Sequence, residues 1–367
     1  RQAIRMTLEA TVEWGTPVLH MHSRDGHLFH VDQAIFPEPA PSPPMEPQPR
    51  QPVKPEASSP AAGSERDLQI LLSRVREYWI AGVLERSIHR FARLELGMEL
   101  LEGAVESPWG SLLETPGAGR EELPHGKTLG QVFEDVGGSL LVLGEPGSGK
   151  TTTLLELAQD LLRGAEDDPT SPVPVVFPLS SWAGEGRSLG DWMVDELAKK
   201  YMVPKKVSRA WPGGGRILPL LDGLDEVEGG QRPRCVEAIN LFTRENPVRV
   251  VVCCRLREYR ELPVRLALNG AIRLQPLSRQ QVFDYLGAFG DRLAALGALL
   301  RRDSGLLIDA RSPLMLSLMI EAYQGLPVEA LATEGRPSVA ARRQRLMEAY
   351  VEARFHRART GLYHARP

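Results

Sequence analysis

Apolar positions along the chain shift between two periods, and each shift marks a different kind of element. From Asp67 to about Leu101, Leu68, Leu71, Leu72, Val75, Trp79, Val83 and Leu84 recur at steps of three and four, which predicts an amphipathic helix kinked at Gly82. Ser139-Leu140-Leu141-Val142-Leu143 is instead a short apolar run, the pattern of a strand buried on both faces. Helical and strand-like segments then alternate: a helix over 151–162, a strand over 174–179, a helix over 189–201, a strand over 216–221, a helix over 232–245, and strands over 248–254 and 271–274. Such alternation predicts a parallel sheet covered on both faces. Beyond Pro276 the pattern is helical only, over 278–289, 291–302, 313–323 and 339–357. The expected fold is α/β, a three-layer fold with a five-stranded parallel sheet over 126–275, followed by a small all-helical domain over 276–367.

Ahead of this body the chain reads differently. Pro17 to His22 and His27 to Val31 are strand-like and flank the turn residues Ser23-Arg24-Asp25-Gly26, so residues 1–36 read as a helix end and a hairpin. Residues 37–66 carry a proline every few positions among Ser, Ala, Glu and Gln, a composition that cannot pack and reads as a linker or a docking segment for a proline-recognising module. Residues 67–125 are expected as a helical pre-segment.

Composition narrows the function classes. With 42% hydrophobic and 25% charged residues the 367-residue chain can bury real cores, and a net charge of −3 gives no general attraction to nucleic-acid backbones. No segment has the run of apolar residues that a membrane span needs. Of Cys235, Cys253 and Cys254, the adjacent pair lies in an apolar run that reads as a buried strand, a poor place for a structural disulfide, which suits a reducing cytoplasm. The chain opens at Arg1 without a methionine and is expected to be a piece of a longer protein.

The chemistry sits at the end of the first buried run. Gly144-Glu145-Pro146-Gly147-Ser148-Gly149-Lys150-Thr151 has the spacing of a phosphate loop and lies between a strand and a helix. Glycines let backbone N–H groups face phosphate oxygens, the helix start adds its positive dipole end, Lys150 reaches the outer phosphates and the Thr151 hydroxyl completes a Mg2+ shell. Such a loop needs a carboxylate on a neighbouring strand, and Ile217-Leu218-Pro219-Leu220-Leu221-Asp222 supplies it. Asp225 and Glu226 follow on the same edge, and one of them is expected to orient the attacking water. The extra strand at 174–179 implies the additional-strand order, in which the strand ending at Cys254 lies between the other two and aims Arg255 at the outer phosphate.

Leu143 to Thr152, together with Leu220-Leu221-Asp222-Gly223-Leu224-Asp225-Glu226-Val227, resembles the NACHT family of signalling NTPases. The resemblance extends to Trp79 to Leu84, Leu179 to Trp182, Cys254 to Tyr259 and Ser312 to Leu316, and covers residues 67–357. It implies ATP or ADP with Mg2+, a loop contact from Thr152, a helical domain that closes over the nucleotide with Pro313 near the base, and slow hydrolysis. It also implies that nucleotide state controls oligomerisation and activation of an attached effector, as in bacterial relatives of innate immune receptors, with a winged helix and sensor following. Val12 to Leu19 with Ser23 to Phe29 is similar to the closing segment of caspase-like CHAT protease domains, which implies an upstream effector.

Other signals point less far. His20, His22, His27 and His30 crowd the hairpin, but without a nearby cysteine or a rigid support they make a poor zinc site. Lys199, Lys200, Lys205 and Lys206 read as a solvated helix end. The alternative to a switch is a constitutive ring-forming mechanical ATPase of the AAA+ type, which the helical segment after the sheet fits equally.

Overall fold

A computed structural model describes residues 60–85, 96–101, 104–105, 121–123, 127–182, 184, 186–324, 341 and 343–353. The hairpin, its histidines and most of the proline-rich stretch lie outside the described residues. Helix α1 (Pro60–Val75) begins inside the stretch assigned to the linker. Pro60 costs nothing at a first helical position, where its missing N–H would have no partner anyway, and helix-forming residues follow it. From Arg76 to Leu84 the backbone continues as a π-helix, with Glu85 N–H donating to Ile80 O at 2.8 Å. The expected helix through Leu101 is therefore corrected: helical geometry ends by Leu84, and Met98–Leu100 is a strand, β1.

A second short strand, β2 (Glu121–Glu122), pairs antiparallel with β1. Helix α2 (Leu129–Asp135) opens with a capping box in which Thr128 and Gln131 satisfy each other's backbone N–H groups. The alternating core follows as β3 (Ser139–Gly144), α3 (Lys150–Asp167), β4 (Val173–Pro178), α4 (Leu189–Tyr201), α5 (Lys205–Ser208), β5 (Ile217–Asp222), α6 (Arg232–Glu245), β6 (Val250–Arg255), α7 (Leu256–Arg260) and β7 (Gly270–Leu274).

The sheet order is β2-β1-β7-β3-β6-β5-β4. The run β7-β3-β6-β5-β4 is parallel throughout, as expected, with β6 inserted between β3 and β5. The expected count of five is corrected to seven, because β1 pairs antiparallel with β7 and carries β2 with it. Strands of three and two residues are too short to print a period on the sequence. Their pairing covers the edge that β7 would otherwise leave open.

At the other edge β4 carries Pro174 and Pro178 and is covered by α1. Here Tyr201, fully buried at the end of α4, donates from its hydroxyl to Val176 O at 2.8 Å and accepts from Trp79 Nε1–H at 2.6 Å. Arg74 also donates to the Tyr201 carbonyl. One aromatic side chain thus joins the pre-segment, α4 and the edge strand.

After β7 come α8 (Arg279–Gly287), a 3-10 turn at Gly290–Leu293, α9 (Ala294–Arg302), α10 (Ser304–Ala310), α11 (Pro313–Tyr323) and helical residues 343–353. Two apolar cores result. One runs from Leu68 to Leu274 around the sheet, the other from Leu277 to Tyr350 among these helices, and Leu96 packs against both.

Replacing Tyr201 with Phe strands the Trp79 N–H and the Val176 carbonyl, so urea denaturation should show a loss of about 1–3 kcal/mol. Burial holds the Tyr201 hydroxyl above its ordinary value of 10.0, so the folded chain keeps this proton while the unfolded chain loses it. Stability is accordingly expected to fall as pH rises above about 10, and to fall less in Tyr201→Phe. Cys235, Cys253 and Cys254 are buried thiols outside any disulfide, and burial pushes the Cys235 thiol up to about 12. A thiol reagent should titrate none of the three natively and all three in denaturant.

Candidate nucleotide site

Strand β3 delivers the chain to Gly144, and the loop turns into α3 through Gly147 (φ +72°) and Gly149 (φ +93°), a conformation that side-chain-bearing residues rarely adopt. Glu145 and Pro146 lie exposed at the rim, and Thr152 is half-buried in the first turn of α3. Lys150 is 2% exposed, and its ammonium donates to the carbonyls of Gly144 and Glu145, each at 3.2 Å. Ser148 is buried beside it, and its hydroxyl has no hydrogen-bond partner among the described residues.

The parallel register decides what faces this loop. Gly144 lies level with Arg255 on β6, and Leu221 on β5 lies level with Val252 on β6, so Asp222 ends its strand on the same edge. The Thr151 hydroxyl donates to Asp222 Oδ2 at 2.9 Å in a buried contact. A carboxylate and a hydroxyl are hard oxygen donors of the kind Mg2+ takes when substrate phosphates and waters complete its shell. Among the described residues no cluster of three His, Cys, Asp or Glu could hold a metal alone. The positive-φ loop, the buried Ser148 hydroxyl and the Thr151–Asp222 pair together fit a Mg2+-bound nucleotide phosphate.

Gly223 (φ +76°) turns β5 into a 3-10 turn over Leu224–Glu226. Asp225 is buried, and its carboxylate meets Arg255 twice: Oδ1 accepts the backbone N–H at 2.9 Å and Oδ2 lies 2.8 Å from Nε. Glu226 is half-buried and folds back over Gly223, where an added Cβ would come within 2.9 Å of its carboxyl carbon. Arg232, which drew no notice in the sequence, donates to the carbonyls of Asp225 at 2.6 Å and Val227 at 3.2 Å and braces this turn. Burial, with the Asp225 carboxylate second, pushes the neighbouring Cys254 thiol well above its ordinary value, so it stays protonated.

The helical region touches the same loop. Gly147 O accepts from the Ser312 hydroxyl and from the Leu314 N–H, both at 3.2 Å, which brings buried Pro313, the first residue of α11, against the loop. Leu96 approaches Gly149 from the pre-segment, 3.1 Å from the position of an added Cβ. Arg273, on β7 beside Leu143, places Nη2 3.7 Å from Glu145 Oε1. Ser312 stood inside a motif read from the sequence, whereas Leu96 and Arg273 carry no local signal.

A Cβ added at Gly147 would lie 3.0 Å from Leu314 Cβ and 3.1 Å from Ser312 Oγ. Gly147→Ala should therefore push α11 off the loop, seen as faster amide exchange or proteolysis across 311–323 while β3 and β6 stay protected.

Residues 139–290 match the family model of the NACHT domain. No curated protein matches the chain. Solved structures do: the Orc1 protein of Aeropyrum pernix in complex with DNA is similar at 15% identity with a TM-score of 0.34, the match covering 62% of this chain and 63% of that one. Cdc6p from Pyrobaculum aerophilum is similar at 13% identity with a TM-score of 0.26, covering 51% of this chain and 49% of that one. Likeness at this level carries no activity across. The family match, lying on the strand, loop and carboxylate just described, makes residues 139–290 a NACHT domain, a P-loop NTPase domain.

Proposed function

We propose that the chain is the nucleotide switch of a signalling NTPase. It binds ATP or ADP with Mg2+, hydrolyses ATP slowly, and its nucleotide state controls self-association and activation of an attached effector in bacterial innate, antiphage defence. The observation that carries this is the double hydrogen bond from Ser312 and Leu314 to Gly147 O, because it ties the helical region to the loop that would hold the phosphates. A change at the phosphates then changes how the helical region sits. The similarity of Val12 to Leu19 and Ser23 to Phe29 to CHAT proteases supports a caspase-like effector upstream.

The roles follow from chemistry. When bound, Mg2+ would supply charge neutralisation between the outer phosphates, held by Thr151 and Asp222. Gly144 to Gly149 would offer backbone N–H groups, and Lys150 would exchange the two loop carbonyls for phosphate oxygens. Thr152 would contact the inner phosphates, Pro313 the base, and Arg255 the outer phosphate. The acidic pair Asp225 and Glu226 would provide the group that orients water.

Purified chain, denatured and analysed by chromatography, should release near-stoichiometric adenine nucleotide, and Lys150→Ala should release none. Sedimentation with ADP and with a non-hydrolysable ATP analogue should differ. A constant ring in both states would instead establish a constitutive AAA+ type ATPase and remove the switch.

A further inference from the structure

The phosphate loop has two flanks, and they carry different groups. On one side of β3 lie β6 and β5, which end at Arg255 and Asp222; on the other lies β7, which carries Arg273 level with Leu143. The Arg273 side chain is 21% exposed, and Nη2 stands 3.7 Å from Glu145 Oε1 on the loop, too far for a hydrogen bond. Its Nε is buried and has no hydrogen-bond partner among the described residues. Glu99, opposite it on β1, gives a carboxylate oxygen to Gln275 Nε2. A largely buried guanidinium with unmatched donors is unfavourable until an acceptor reaches it.

The flank of Arg273 is also where the pre-segment and the helical region converge on the loop. Just past β7, Gln275 N–H donates to Gly97 O at 2.8 Å, and the preceding Leu96 reaches Gly149. Leu277 N–H donates to Arg311 O at 2.8 Å and Arg311 Nε to Leu277 O at 2.7 Å, which anchors the start of α11 beside Gly147. Leu96 and Leu314 thus border the loop on the side away from the Thr151–Asp222 pair. A nucleotide with its metal and outer phosphates at that pair would run toward the apolar side with its sugar and base, passing its first phosphate by Arg273.

We propose that Arg273 is a further phosphate-binding residue, donating to the phosphate next to the ribose, and that Glu145 competes with that phosphate for the guanidinium. The assignment rests on the nucleotide-binding role proposed above. Arginine matches phosphate oxygens with two or more fixed donors, whereas Glu145, with 53% of its side chain exposed, is a solvent-screened partner that phosphate can displace.

The test is calorimetric binding of ADP, AMP and adenosine to wild type, Arg273→Gln, Glu145→Gln and the double variant. Arg273→Gln should weaken ADP and AMP alike by roughly ten- to a hundredfold, the effect of one charge-assisted contact, and leave adenosine, which has no phosphate, as in wild type. Glu145→Gln should tighten ADP and AMP by about two- to fivefold, the size of an exposed ion pair. The double variant should bind as Arg273→Gln does, because the gain needs the arginine. Arg273→Met keeps the apolar stem and replaces Arg273→Gln if that variant does not fold, with the same loss expected. Wild-type affinity without Arg273, or a loss that extends equally to adenosine, would overturn the proposal. So would unchanged or weaker binding in Glu145→Gln, or a tightening that persists in the double variant and so reflects simple repulsion between Glu145 and phosphate. Failure of the wild type to bind more nucleotide than Lys150→Ala would strike the underlying nucleotide reading instead.

Discussion

The lateral pairing of β3, β6 and β5 brings the phosphate loop, Arg255 and Asp222 to one place. Parallel strands in register end together, so Gly144, Arg255 and Asp222, far apart in the chain, come out on one edge of one sheet. The strands themselves are buried on both faces and offer only apolar side chains to their helices, which leaves the carboxyl edge as the place where polar residues can emerge. Thr151 and Asp222 meet there in a buried hydrogen bond, although 71 positions separate them. A slip of one residue in either pairing would turn the strand over and carry Asp222 or Arg255 away from the loop.

Around that edge the chain builds two cores that share few residues. One surrounds the sheet and the other fills the helices after Leu274. They meet at the phosphate loop, where Gly147 O accepts twice, and at Leu96, which packs on both.

Much of this was legible in the sequence. The buried runs around β3, β5 and β6, the helix at Leu189–Tyr201, the phosphate loop and the aspartate ending a strand all carry local signals, since period, glycine placement and a lysine at a helix start are written in consecutive residues. The parallel order with β6 inserted followed from the extra strand at β4. The segment before the sheet was not legible in the same way. A helical period through Leu84 gave no notice of the change to π geometry or of the strand at Met98–Leu100, because that strand exists through its pairing with β7 and not through its own pattern.

By itself, then, the sequence determined the elements with strong local period and the chemical kind of the site, because those depend on residues adjacent in the chain. Tertiary structure alone decided the contacts among its residues. The grip of Asp225 on Arg255, the bracing of the turn by Arg232 and the contact of Ser312 with Gly147 join residues 30, 7 and 165 positions apart. Such contacts are set by which strands lie side by side and which helix end folds back, and no local pattern encodes that.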